Sequence, residues 1–279
     1  MELHVTLPAE RPDADPRRLA ELARLAEELG YGGITLPDHL FSPRPCDEGY
    51  GGPFDALVTL GHLAAVTERV ELVTSVLLLP LRNPYVVAKQ AATLARLSGD
   101  RFVLGVGVGW ERFEFDATGA DFTTRGARTD SALQLIRSLH TTGGAAFANP
   151  HHDHPSGHFA PVPELPVPLL IGGNSDAALR RAARYGDRWQ SHGIGPEEFA
   201  TRVSRLRSLT DRPLATDART PIADGSPAQA AQATAGELDA WASAGAERLA
   251  VWCGPDADTA GERMRALAAL SQARPYLAR

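Results

Sequence analysis

Short apolar runs and amphipathic stretches take turns along the whole chain. Residues 2–7 (ELHVTL) alternate as a strand does, and Asp15 then offers a helix N-cap with Pro16 at the first helical position. Leu19, Leu22, Leu25, Ala26 and Leu29 return at intervals that put them on one helical stripe, and Gly30 follows as a stop. The next strand is predicted over 33–36 and its helix over 54–66. Residues 70–79 (VELVTSVLLL) are apolar almost without interruption, the pattern of a parallel strand buried on both faces. A helix over 86–97 follows, then a strand over 101–109 that runs out into glycines, and a fourth helix over 122–140. The remaining strands are predicted over 167–173, 187–192, 215–223 and 247–253, with helices over 175–185, 196–209, 227–244 and 259–273.

Eight strands and eight helices thus alternate strictly, with no domain break across 1–279. A strand returns parallel to its predecessor only through a crossover, so strict alternation predicts a parallel sheet. Eight units favour closure over an open sheet, and 279 residues suit one such barrel, for which about 250 is typical. The expected fold is α/β, a single (β/α)8 TIM barrel. Residues 141–166 (TTGGAAFANPHHDHPSGHFAPVPELP) lack periodicity and are predicted as an excursion loop between the fourth helix and the fifth strand.

Composition narrows the partners. A formal net charge of −6 favours neither nucleic acid nor an anionic membrane, and no apolar run approaches the roughly 20 residues of a membrane span. The opening MELHVTLPAERPDAD has no basic n-region and no apolar h-region, so no signal peptide is expected. Cys46 and Cys253 are the two cysteines and share no zinc-type spacing, which suits a reducing, cytoplasmic setting. The expected partner is a small-molecule substrate.

In a barrel the chemistry sits where strands end and loops lead into helices. The second strand ends in Pro37-Asp38-His39, the third carries Thr74-Ser75-Val76, the fourth ends in Gly105, Gly107, Gly109 and Trp110, and the fifth in Gly172-Gly173-Asn174-Ser175. Two glycines and a small polar residue between a strand and a helix let backbone N–H groups and the helix dipole meet a phosphate; a plain tight turn fits the same letters. His39 has the side chain whose ordinary pKa lies nearest neutrality, suited to proton transfer, although an Asp-His neighbour pair can equally be a loop contact. Apolar groups from Val76 to Leu79 and Trp110 can wall an aromatic ring. His151, His152, His154 and His158 match no closed zinc spacing and are expected to be solvated, with no metal. Glu111, Glu114 and Asp116 follow Trp110 and can act as acid or base, although three carboxylates leading into a helix are more often a solvated or helix-capping set. The sole lysine, Lys89, falls inside a helix, which disfavours a Schiff-base aldolase barrel.

At these residues the chain resembles the luciferase-like monooxygenase superfamily, specifically its deazaflavin (coenzyme F420)-dependent branch. The resemblance rests on EELGYGGITLPDHL (27–40), the stretch 74–110, FEFDATGADFTTRGARTD (113–130) and LLIGGNSDAALRRAARYGDRW (169–189), and covers most of 2–192. It implies the barrel, with 141–166 as its insertion. It implies a non-prolyl cis peptide between Ser75 and Val76 as a bulge behind the deazaflavin ring, and a phosphate held by Gly172, Gly173 and Asn174. Asp38 and His39 would lie beside the ring's reactive carbon, His39 as acid or base, with Gly107, Val108, Gly109 and Trp110 also against the coenzyme. The implied activity is hydride transfer between the deazaflavin C5 and an activated C=C, C=N or C=O group, in a homodimer. FMN with monooxygenase chemistry is the alternative coenzyme and reaction, and a flavin-binding protein without turnover the non-enzymatic one. Trp110 stands where the superfamily's sugar-phosphate dehydrogenases place a catalytic glutamate, and their cationic substrate grip is not evident, so that substrate is not expected. Ser131 also replaces the acidic residue that usually follows the RGARTD stretch.

Overall fold

The computed structural model describes residues 1–9, 11–44 and 54–271; Cys46 and most of the 41–53 loop lie outside them. Its strands are β1 (Glu2–Thr6), β2 (Gly33–Leu36), β3 (Glu71–Thr74), β4 (Leu77–Leu78), β5 (Phe102–Gly107), β6 (Phe147–Asn149), β7 (His152–His154), β8 (Leu169–Gly172), β9 (Arg188–His192), β10 (Ala215–Pro221) and β11 (Arg248–Trp252). The sheet runs β3-β2-β1-β11-β10-β9-β8-β5, and β3 pairs with β5 to close it; every pairing in it is parallel. The eight-stranded barrel read from the alternation is therefore present.

The helices between strands are α1 (Pro16–Glu28), α2 (Ala56–Ala64), α3 (Pro84–Ser98), α4 (Arg112–Thr118), α5 (Arg125–Thr142), α6 (Asp176–Tyr185), α7 (Pro196–Arg207), α8 (Pro227–Ser243) and α9 (Ala257–Ser271). Their ends carry local causes. Asp15 caps α1 by accepting from the Arg17 N–H at 2.8 Å, and Gly99 closes α3 in the left-handed region. Outward side chains such as Leu3, Val5, Leu72, Leu104 and Val251 pack under the helices in one large core. A second, smaller core of Val73, Val103 and Leu170, with Val76 against it, fills the barrel itself.

Polar groups occupy the N-terminal end of the barrel. Arg188 meets both oxygens of Glu71 at 2.7 and 2.6 Å, and Arg248 bridges Glu2 (3.3 Å) and Asp217 (3.4 Å). This layer plugs the end opposite the site and leaves the C-terminal mouth for chemistry.

The sequence expectation needs four corrections. The strand expected over 70–79 is two pieces, β3 and β4, separated at Ser75–Val76, with a 3-10 turn over 79–81. Strict one-to-one alternation fails because α4 sits in the loop after β5, capped by Glu111 and closed by left-handed Gly119, so nine α-helices occur among the described residues. The fourth predicted helix begins as a 3-10 turn over 122–124, where Asp121 accepts from the Thr123 N–H, and becomes α-helical at Arg125. The 141–166 excursion contains an antiparallel hairpin, β6–β7, pairing Phe147 with His154 and Asn149 with His152. Asn149 anchors it through a bond to the Ser131 carbonyl at 2.9 Å.

Candidate active site

The loop after β2 brings Asp38 and His39 to the mouth. Asp38 is buried, with Oδ2 accepting from the Leu78 N–H at 2.9 Å and Oδ1 from Arg82 at 2.7 Å. Arg82 also bonds Asp55 at 2.9 Å, so one guanidinium joins the β2 loop, the segment after β4 and the start of α2. Burial lifts the Asp38 carboxyl above the ordinary range even against the pull of Arg82. Both oxygens thus bond protein groups, which ties the loop that presents its neighbour to the segment after β4.

That neighbour is gripped from another element. His39 Nδ1 lies 2.8 Å from Oε2 of Glu114, on α4, and the imidazole is 13% exposed. Oε1 of Glu114 accepts from the Leu40 N–H at 2.7 Å and the Phe41 N–H at 3.2 Å. Burial works to raise this carboxyl, but the bonds from His39, Leu40 and Phe41 outweigh it and hold it below the usual carboxylate range. Trp110 stands edge-on to His39, ring centroids 6.0 Å apart, and is 61% exposed. Phe41 and Phe113 pair beside them at 5.4 Å, which gives the mouth an apolar lip.

The wall comes from the break between β3 and β4. The Ser75–Val76 peptide is cis, as the resemblance implied. Ser75 is tied on three sides: its N–H donates to the Leu36 carbonyl at 2.7 Å, its hydroxyl to Oε1 of Gln190 at 2.7 Å, and its carbonyl accepts from Arg219 at 2.9 Å. Val76 then projects between Gly107 and Gly172; a Cβ added at either would come within 2.6 or 2.7 Å of a Val76 methyl. Gly109, at φ +77°, lets the chain turn against the Phe115 ring, and half-buried Val108 lies between the two glycines. Arg219 and His192 are register partners at the ends of β10 and β9. Burial first, and the Arg219 charge second, push the His192 imidazole below its ordinary pKa.

The turn after β8 is tied to β9 by its own hydrogen bonds. The Gly173 N–H bonds the Gln190 carbonyl at 3.1 Å, and its carbonyl accepts from the Trp189 indole at 2.8 Å. The Asn174 amide clasps the His192 backbone on both sides, at 2.7 and 3.2 Å. These residues fix the turn, and the first turn of α6, capped by Ser175, offers the donors that an anion would meet. Asp176 opens that turn with Arg180, Arg202 and Arg205 within 3.7 to 3.9 Å, and Arg202 also pairs with Glu198 at 3.1 Å.

Of the carboxylates after Trp110, Glu111 caps α4 and Asp116 faces Arg112 at 3.7 Å, as expected of a capping and solvated set. Glu114 departs from that expectation, being 1% exposed. A carboxylate between two phenylalanines was the only local hint. Gln190 and Arg219 were missed outright, because nothing in a strand's alternation says which inward polar group will touch a distant bulge. Tyr85, on α3, packs edge-on to His152 and His154 of the hairpin, and among the described residues no three His, Cys, Asp or Glu side chains gather as metal ligands. No described helix is long and apolar enough to cross a membrane.

Residues 1–277 match the family model described as luciferase-like monooxygenase. An uncharacterized protein of Mycobacterium tuberculosis is 37% identical over 203 residues, covering 68% of this chain and 70% of that protein. The F420-dependent glucose-6-phosphate dehydrogenase of Amycolatopsis mediterranei is 35% identical over 176 residues, 62% of this chain and 52% of that enzyme. The match thus spans about half of that enzyme's length. Among solved structures, an F420-dependent secondary alcohol dehydrogenase in complex with an F420-acetone adduct superimposes with a TM-score of 0.81 at 17% identity, over 99% of this chain and 98% of that one. The EDTA monooxygenase of a Chelativorans species reaches 0.82 at 14% identity, over 99% and 94%. At these identities the two structures speak for the fold alone.

Proposed function

This chain belongs to the luciferase-like monooxygenase family, and on that premise we propose that it is a coenzyme F420-dependent oxidoreductase of a small-molecule substrate. The observation that carries the reading is the His39 imidazole, held at the barrel mouth by a buried carboxylate and flanked by the Ser75–Val76 wall. The residues present fit the coenzyme: Val76 lies between two glycines as a flat apolar support, and the first turn of α6 offers backbone N–H donors for a phosphate.

When bound, the coenzyme supplies or receives a hydride at its C5, to or from an activated C=C, C=N or C=O carbon. The protein's part is to orient, to exclude water and to move the paired proton. Ser75, fixed by Gln190 and Arg219, keeps the wall in place under load from a ring. Trp110, Phe41 and Phe113 form the apolar lip that limits water at the reacting carbon. His39 carries the proton, at the ring nitrogen that Glu114 does not hold.

The test is a titration of the apoprotein with oxidised F420 and, separately, with FMN, followed by fluorescence quenching. Micromolar or tighter binding of F420, with clearly weaker FMN binding, supports the reading. Preference for FMN would replace it with flavin monooxygenase chemistry, and binding of neither would remove the enzyme assignment.

A further inference from the structure

Glu114 lies on α4 between Phe113 and Phe115, yet it reaches across to the loop after β2 and touches three consecutive residues there. A carboxylate so buried persists only when its lone pairs are met. Two of its partners, the Leu40 and Phe41 N–H groups, can only donate, and both bond Oε1. The third is His39 Nδ1 at 2.8 Å from Oε2. An ionised carboxylate can only accept. The contact therefore has one chemical solution: Nδ1 carries a hydrogen and donates it. In a neutral imidazole that leaves Nε2 with its lone pair.

We propose that Glu114 is a positioning residue that locks His39 in the Nδ1–H tautomer and so makes Nε2 the proton acceptor of the site. The catalytic half of this proposal rests on the function proposed above. At a hydroxyl–carbonyl pair both directions use this nitrogen. The substrate O–H bond breaks and its proton goes to Nε2, while the C–H bond breaks and its electron pair leaves with the hydride to the coenzyme C5. A C=O bond forms, the substrate is oxidised and the coenzyme reduced. In reverse the same Nε2 returns the proton to the forming alkoxide.

Glu114→Gln separates this role from simple packing. The Leu40 and Phe41 N–H groups demand an oxygen, so the amide must turn its oxygen toward them and its NH2 toward His39. Nδ1 then has to accept, and the proton moves to Nε2. Replacing the carboxylate of a carboxylate–histidine pair by an amide in this way costs about 10^4 in turnover where the histidine must act as a base.

The experiment uses the full-length protein labelled with 15N at histidine, read by long-range 1H–15N correlation, with His39→Ala identifying the His39 signals. The wild type is expected to show the Nδ1–H pattern at His39, and Glu114→Gln the Nε2–H pattern. An Nε2–H pattern in the wild type overturns the proposal, and that reading needs no variant to fold. An unchanged Nδ1–H pattern in a folded Glu114→Gln protein overturns it as well. Since the tautomer is read without coenzyme, an Nδ1–H wild type that binds neither F420 nor FMN would uphold the positioning role and overturn only its catalytic half.

Discussion

His39 is held on one side by a buried carboxylate and lies under an exposed indole, and its replacement separates chemistry from binding. His39→Ala is expected to lower turnover by about 10^2- to 10^4-fold while coenzyme affinity, read by fluorescence titration, stays near the wild-type value. An unaffected rate would remove its catalytic role. Asp38 has a different job, and its loss is read in stability. Asp38→Ala strips Arg82 of one partner and leaves the Leu78 N–H without its acceptor. Breaking a buried pair costs about 3 kcal/mol, so the denaturant midpoint should fall markedly, by an amount larger than for His39→Ala. His39 and Asp38 were legible in the sequence because a strand end in a barrel must face the mouth. Glu114 stood there as one of three candidate carboxylates, but nothing local singled it out, because its significance lies in a contact across 75 positions of chain.

Among the elements, the wall of the site depends on close approach of Thr74, at the end of β3, and Val76, in the break after it, to β5 and β8. At Gly105 an added Cβ would stand 1.9 Å from the Thr74 carbonyl oxygen, a backbone atom that cannot yield. Gly105→Ala is therefore expected to give no soluble folded protein. At Gly107 the obstacle is a Val76 methyl at 2.6 Å, a side chain that can be removed. Gly107→Ala should cost about 1–3 kcal/mol and weaken coenzyme binding, and Val76→Ala in the same chain should recover much of the lost stability. Thermal melts of the two single variants and the double variant test this; additive losses would mean the two sites do not touch. Most strands and helices were readable from periodicity and capping. The split of the third strand was not, since its apolar run continues through Ser75–Val76 and the tethers that fix the break come from β2, β9 and β10. The β6–β7 hairpin was also missed, because three residues per strand are too few to register as alternation.

For the whole molecule, the charged layer at the N-terminal end of the barrel links stability to pH. Burial works to raise the Glu71 carboxyl, but its bond and charge contact with Arg188, with smaller help from His4 and Arg248, leave it lowered overall. A lowered folded pKa means that the stability it adds is complete above the ordinary carboxylate value, about 4.3, and is lost as pH falls through the folded value. Asp217, raised by burial against Arg248 and Arg188, acts in the opposite sense and blunts the effect. Glu71→Gln is expected to cost about 2 kcal/mol at neutral pH, below the cost for a fully buried pair because Glu71 keeps some exposure, and to flatten the loss of stability on acidification. Melting temperature against pH for both proteins checks it; parallel curves would show that Glu71 contributes no linkage. By itself the sequence determined the strand–helix alternation, the closed barrel and the ends of strands where chemistry can occur. Those features follow from hydrophobic period, caps and chain length, all of them local or additive along the chain. Only the tertiary structure decided that Glu114 grips His39, that Asn174 clasps the neighbouring loop and that Arg219 supports the Ser75 carbonyl. Each of these depends on which polar atoms remain unsatisfied when distant segments meet, and hydrogen-bond demand becomes specific only after burial has removed water as the partner.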